Sequence, residues 1–221
     1  MTGLLALVGG GEWRDGCSFD AELLAASGGS EVVVLPTAAA YEGPDKAVAF
    51  ATRWFAGLGA TVRGLDVLER HDALDPANAR VVRDARFLYL SGGSPLHLRS
   101  VLKESPVWEA LEAAWHDGAV VAGSSAGAMV LCDPMVDPRG GGLTVGLGLL
   151  EGVAVVPHAP ATGFAAEHRR TLDLVTGGIT VVGIDERTAL VRDGDGSWRS
   201  AGAGTTSVWR DGAGAGLDVL P

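Results

Sequence analysis

The run Val120-Val121-Ala122-Gly123-Ser124-Ser125-Ala126-Gly127-Ala128-Met129 passes from an apolar segment through small residues into a helix-forming one. A serine on such a strand-to-helix turn is a candidate nucleophile. The strained elbow lifts its Oγ above a sheet, and the N–H that follows faces the oxyanion of an acyl intermediate. Gly123, Ala126 and Gly127 are the small neighbours that this geometry needs, and their spacing centres the elbow on Ser125, with Ser124 in a supporting role.

A serine hydroxyl attacks poorly until a positioned base takes its proton. Of the five histidines, His71 and His116 sit among polar or helix-end neighbours and read as surface residues. His97 follows Gly92-Gly93 on a predicted helix and reads as a packing or site-edge residue. His168, between Glu167 and Arg169, reads as solvated or substrate-side. His158 differs: Pro157-His158 ends a predicted strand over 153–156, where α/β sheets present their site residues. It is the expected base. The third member should be a carboxylate that orients the imidazole. Asp137 is preferred and Asp133 is the alternative, both following the nucleophile helix, while Glu151 and Glu167 lie nearer His158 in sequence.

The elements that must position these groups alternate. Apolar runs at 4–8, 31–36, 61–67, 86–90 and 120–123 predict strands, and helical spacing predicts helices over 19–26, 45–58, 76–84, 96–102 and 106–116. Short connections between alternating elements imply a mostly parallel sheet covered on both faces. Toward the C-terminus, 179–184, 188–191, 197–201 and 206–210 read as short strands, with Asp193-Gly194-Asp195-Gly196 as a hairpin signal. The expected fold class is a three-layer α/β sandwich with a mostly parallel central sheet and a C-terminal antiparallel β-meander, forming one domain over 1–221.

Composition narrows the function further. The net charge is −10, from 17 basic and 27 acidic residues. With no Lys/Arg cluster to track a phosphate backbone, nucleic acid is not expected as a partner. No apolar run is long enough to span a bilayer, the opening residues read directly into a strand and glycine turn, and Cys17 and Cys132 have no framework or metal spacing. The expectation is a cytoplasmic protein without metal or cofactor, and a homodimer is compatible with it.

Taken in order, several motifs resemble the cyanophycinase and aspartyl dipeptidase (peptidase E) family of serine peptidases. They are Gly9-Gly10-Gly11, Ser91-Gly92-Gly93, Gly123-Ser124-Ser125-Ala126-Gly127-Ala128, Gly146-Leu147-Gly148-Leu149-Leu150, Pro157-His158 and Gly183-Ile184-Asp185-Glu186-Arg187-Thr188-Ala189, which together cover almost the whole chain. The resemblance implies a class I glutamine amidotransferase-like fold, Ser125 as nucleophile, His158 as base, and an oxyanion hole from the backbone of Gly93 and Ala126. It also implies cleavage of a peptide or isopeptide bond beside an aspartyl residue. Gly10, Ser94, Arg169 and Arg170 are the expected substrate contacts, the arginines as a cationic pocket for the acidic residue. Two departures from the family pattern stand out: Ser94-Pro95 replaces the usual polar pair, and Ala159 replaces the aromatic that often follows the histidine. The alternatives are a non-catalytic ligand-binding homologue on the same scaffold and a small-molecule esterase or amidase.

Overall fold

The computed structural model describes residues 2–140, 142–160, 175 and 177–221. Five parallel strands form one side of the seven-stranded main sheet, out to its edge: β1 (Leu5–Val8), β2 (Glu31–Leu35), β3 (Thr61–Gly64), β4 (Phe87–Leu90) and β5 (Val120–Ser124). They lie in the order β1-β5-β4-β2-β3. The continuous apolar sequences of β1, β4 and β5 suit strands buried on both faces, and every one of their residues is buried, whereas β3 at the sheet edge is largely exposed.

The side chains of these strands alternate between two cores. Leu5, Leu7, Leu88, Leu90 and Val121 face one, and Ala6, Val8, Phe87, Tyr89, Val120 and Ala122 face the other. The second core is closed by Phe19 and Leu23 of α1 (Phe19–Ser27) and by Ala51 and Phe55 of α2 (Pro44–Gly57). The first is closed by helices that include α3 (Arg70–Ala73), α4 (Pro76–Asp84), α5 (Pro95–Leu102), α6 (Pro106–His116) and α7 (Ala126–Leu131). α4, α5 and α6 start on Asp75, Ser94 and Ser105, whose side chains accept from backbone amides of the first turn, each followed by proline. Such pairs stop the preceding loop and start a helix at a defined point.

The strand-rich C-terminal region is divided between two sheets. Thr188–Arg192 and Trp198–Gly202 extend the main sheet as an antiparallel hairpin beside β1. Val153–Val156, Thr180–Ile184, Thr206–Arg210 and Ala213–Ala215 form a second, four-stranded sheet in which the first pair is parallel. The chain therefore leaves one sheet at Ile184 and enters the other at Thr188, and the corner between them becomes part of the site.

One buried acid lies under this region. Asp20 of α1 is fully buried and accepts the indole N–H of Trp54 at 2.9 Å. Its second oxygen, like the Tyr89 hydroxyl and the Trp13 indole nitrogen, has no hydrogen-bond partner among the described residues. Burial, partly opposed by the Trp54 bond and reinforced by the charge of Glu12, pushes the Asp20 carboxyl up to about 8. An unfolded chain releases that proton near pH 4. Between those values the folded state binds more protons, so stability falls as pH rises through the window. Asp20→Asn is expected to remove roughly 4 kcal/mol of that decline between pH 4 and pH 7. Denaturant melts of both proteins across this range check it, and parallel pH profiles would contradict it.

Candidate active site

Ser125 directly follows β5 with φ 49° and ψ −106°, a backbone region that a non-glycine residue occupies only when its surroundings impose it. Here they do. The Ser125 N–H donates to the Val8 carbonyl at 2.9 Å, tying the elbow to the end of β1. On either side of the serine, side chains are excluded by close packing of helix on strand. A β-carbon on Gly123 would stand 2.6 Å from the Gly127 carbonyl carbon, and one on Gly127 would stand 2.5 Å from the Leu90 oxygen. The two glycines flanking the serine thus let α7 pack directly over β5 and β4, which projects Ser125 at the C-terminal edge of the sheet.

His158 follows the strand Val153–Val156 and also has a positive φ, 54°. Its Nε2 lies 2.9 Å from Ser125 Oγ, and its Nδ1 lies 3.0 Å from Oε1 of Glu186. Glu186 sits on the corner between the two sheets and is held from several sides. Its N–H donates to Asp185 Oδ1 at 2.8 Å, and its carbonyl accepts from Thr188 Oγ1 at 3.1 Å. The three segments meet on consecutive carbonyls of one strand end. Val8 accepts from Ser125 N–H, Gly9 from His158 N–H at 2.8 Å, and Gly10 from Arg187 N–H at 2.7 Å. The exit of β1 is thus a backbone template on which serine, imidazole and carboxylate fall into line, the arrangement that carries a proton from nucleophile to base and steadies the resulting cation. Ser125 Oγ and His158 Nε2 are thus within hydrogen-bond reach of each other.

The acid on the imidazole is Glu186, and neither aspartate expected from sequence reaches it. Asp137 is held by the Arg139 side chain at 2.9 and 2.7 Å and by the Arg139 N–H at 2.9 Å. These bonds keep its carboxyl down at about 2. Asp133 accepts the Gly146 N–H at 2.8 Å and anchors the glycine-rich loop. Asp133 belongs to the short ladder of Cys132–Asp133 with Leu150–Glu151, and Asp137 directly follows the ladder of Met135–Val136 with Leu143–Thr144, both beyond α7. Gly10, expected at the substrate, is buried behind the imidazole: a β-carbon there would stand 2.2 Å from His158 Cε1. Its missing side chain makes room for the base. The Ser94 hydroxyl is engaged as the cap of α5, accepting from His97 N–H at 3.3 Å. Among the other histidines, His97 meets the Leu68 carbonyl at 2.8 Å and the Tyr41 ring edge-on, while His71 pairs with Glu69 and Asp72. Arg169, Arg170, Glu167 and His168 lie outside the described residues.

The Gly92-Gly93 turn abuts the elbow. A β-carbon on Gly92 would stand 3.5 Å from Ser125 Cβ, and one on Gly93, at φ 137°, would stand 2.2 Å from the Ala38 carbonyl oxygen. Ala126 is the first residue of α7, where N–H groups lack intrahelical acceptors. A hollow of about 450 Å³ opens beside His158 and Glu186, with Trp13 and Phe50 in its wall and Arg14, Glu42 and Lys46 on its lining. Among the described residues, no helix is long and apolar enough to cross a membrane.

Comparison with known proteins follows the same lines. The pattern of Peptidase family S51 matches residues 5–198. The cyanophycinase of Synechococcus elongatus is 27% identical over 226 residues, covering 93% of this chain and 67% of its own length. That of Trichormus variabilis is 28% identical over 173 residues, covering 71% and 56% respectively. Among solved structures, a peptidase from an acI-B1 Actinobacterium superposes with a TM-score of 0.84 at 31% identity, covering 96% of this chain and 92% of its own. A putative peptidase E protein from Listeria monocytogenes shares the fold alone, with a TM-score of 0.70 at 18% identity, covering 92% of this chain and 100% of its own.

Proposed function

This chain belongs to peptidase family S51 and is a serine-type peptidase of peptide or isopeptide bonds, and from that premise we propose that it cleaves a short substrate beside an aspartyl residue through an acyl-enzyme on Ser125. The observation that carries the reading is the unbroken chain Ser125 Oγ, His158, Glu186 at 2.9 and 3.0 Å. Ser125 Oγ attacks the carbonyl carbon while its proton passes to His158 Nε2. Glu186 accepts from Nδ1–H and stabilises the imidazolium. The oxyanion is received by the N–H groups of Gly93 and Ala126, which belong to the turn and the elbow that abut at Gly92 and Ser125. His158 then gives its proton to the leaving amine. Water, deprotonated by the same imidazole, cleaves the ester and restores the serine.

The hollow beside His158 suits the leaving side of the bond, because the group that protonates the departing amine forms part of its wall. Arg14 and Lys46 there, together with Arg169 and Arg170 further along the chain, are the cations available to an acidic substrate. The protein is proposed to work in the cytoplasm, without nucleic acid or cofactor, and a homodimer is the assembly to look for by light scattering.

A panel of α-aspartyl and β-aspartyl dipeptides beside their asparaginyl and alanyl counterparts tests the substrate. A pocket that pairs a carboxylate rejects the neutral analogue strongly, so kcat/KM is expected to favour an aspartyl member by at least about 100-fold. Equal rates across the panel would sink the aspartyl assignment. Hydrolysis of simple esters with no peptide turned over would favour an esterase.

A further inference from the structure

The glycine turn that aligns the triad continues into Glu12, which lines the hollow beside His158 and whose carboxylate makes two bonds that the triad does not explain. Oε2 accepts the hydroxyl of Ser124 at 2.8 Å, and Oε1 accepts the N–H of Gly92 at 3.2 Å. Each partner immediately precedes a segment that faces the reacting carbonyl: Gly92 precedes Gly93, and Ser124 precedes Ser125 and Ala126. We propose that Glu12 is a positioning residue that sets the distance between the two donors of the oxyanion hole by clamping the turn after β4 to the elbow after β5. The inference rests on the proposed assignment of those donors to Gly93 and Ala126.

Three features support the clamp. The turn and the elbow belong to different strands and touch at glycine, where little side-chain packing can fix their separation: the nearest atoms to a β-carbon on Gly92 are Glu12 Oε1 at 3.3 Å and Ser125 Cβ at 3.5 Å. A single carboxylate bonded to both replaces that missing packing, and charge-assisted bonds of this kind are short and directional. Glu12 is also anchored to the template, two residues beyond the carbonyl that holds Arg187, so nucleophile, base, acid and oxyanion donors share one origin. Finally, burial holds its neighbours Cys17 and Asp20 in their uncharged forms. Burial pushes the Cys17 thiol up to about 11 and the Asp20 carboxyl to about 8, and the charge of Glu12 adds to both. Those groups stay neutral near pH 7 and do not compete for its two donors.

The test compares Glu12→Ala, Glu12→Gln and Ser124→Ala on the best dipeptide of the panel, together with the affinity for a matching peptide aldehyde, whose adduct on Ser125 places an oxyanion between the donors. Glu12→Ala is expected to lower kcat by about 100-fold while KM stays within about twofold, with aldehyde affinity falling in step. Glu12→Gln should recover most of this, because the amide oxygen accepts from Gly92 while the amide nitrogen donates to Ser124 Oγ. Ser124→Ala removes one arm and should cost about tenfold by the same two measures, less than additively with Glu12→Ala. A folded Glu12→Ala with wild-type kcat would overturn the clamp, and so would a fall in kcat that leaves aldehyde affinity unchanged. If Glu12→Ala does not fold, Ser124→Ala and Glu12→Gln decide it: wild-type values in the first, or a loss in the second as large as complete removal of the donors, overturn the proposal. A wild-type protein that takes no aldehyde or fluorophosphonate on Ser125 overturns this inference and the acyl-enzyme reading together, whereas a labelled enzyme indifferent to Glu12 overturns this one alone.

Discussion

Ser125→Ala is expected to lower kcat on the best aspartyl peptide by about a millionfold, the scale set by removing a nucleophile from a serine–histidine–acid unit. Among the described residues no other side chain replaces Ser125 Oγ beside His158 Nε2. Ser124 is adjacent but buried, with its hydroxyl donated to Glu12 at 2.8 Å. Alternation along β5 turns it toward the opposite face. Water could be activated by His158 in the variant, but it would lack the proximity that the elbow confers on Oγ, an advantage worth several orders of magnitude. The fold should be unaffected, because Ser125 makes no side-chain cap and its N–H bond to Val8 is backbone. Two measurements check the result: steady-state hydrolysis, and fluorophosphonate labelling followed by peptide mapping. Wild-type label should fall on Ser125 and be absent in the variant. A Ser125→Ala protein that retains turnover within about tenfold of wild type is incompatible with covalent catalysis at this residue.

How much of this site was legible in the sequence depends on how local its causes are. The elbow was legible because its constraints lie within five residues: Gly123 and Gly127 are small for a reason that the neighbouring helix and strand make plain. His158 was legible from its place at a strand end. The layer order was legible too, since the buried parallel strands are continuous apolar runs. Glu186 lies in one of the motifs, but the sequence does not single it out as the acid, because residues 179–184 and 188–191 read as neighbours in one meander and an acid between them looks like a turn residue. In the folded chain those two strands belong to different sheets. The crossing at 185–187 carries the carboxylate over Gly10 to the imidazole. Nothing in linear spacing reports such a crossing. Proximity along the chain favoured Asp133 and Asp137 for the same reason, and each proves to be engaged by a neighbour in a local loop. Glu12 escaped notice because its partners are 80 and 112 residues away.

The assignment of the acid leads to the second large effect: Glu186→Gln is expected to lower kcat by about a thousandfold, while Asp137→Asn leaves it within about twofold. A carboxylate on Nδ1 does two things, fixing the tautomer that leaves Nε2 free to take the serine proton and stabilising the cation once it has done so. Glutamine has nearly the same shape and can bond to the ring, but it carries no charge, and its amide nitrogen can hold the wrong tautomer. Burial sets the magnitude. In a fully buried triad the same change costs about 10⁴. Here the Glu186 and His158 side chains are 55% and 48% exposed, so water screens part of the interaction and supplies part of the stabilisation, giving the smaller value. KM should move little, because the loss falls on proton transfer and not on substrate contacts. Glu186→Asp separates charge from reach: one methylene shorter, it keeps the carboxylate but lengthens the 3.0 Å bond, so its kcat should fall between those of wild type and Glu186→Gln. Asp137→Asn gives the opposite control, since that carboxylate serves Arg139 in a hairpin loop and an exposed pair of this kind contributes little. If the pattern is reversed, with Asp137→Asn inactive and Glu186→Gln unimpaired, the acid lies in the segment after the nucleophile helix after all, and the corner between the two sheets is only structural.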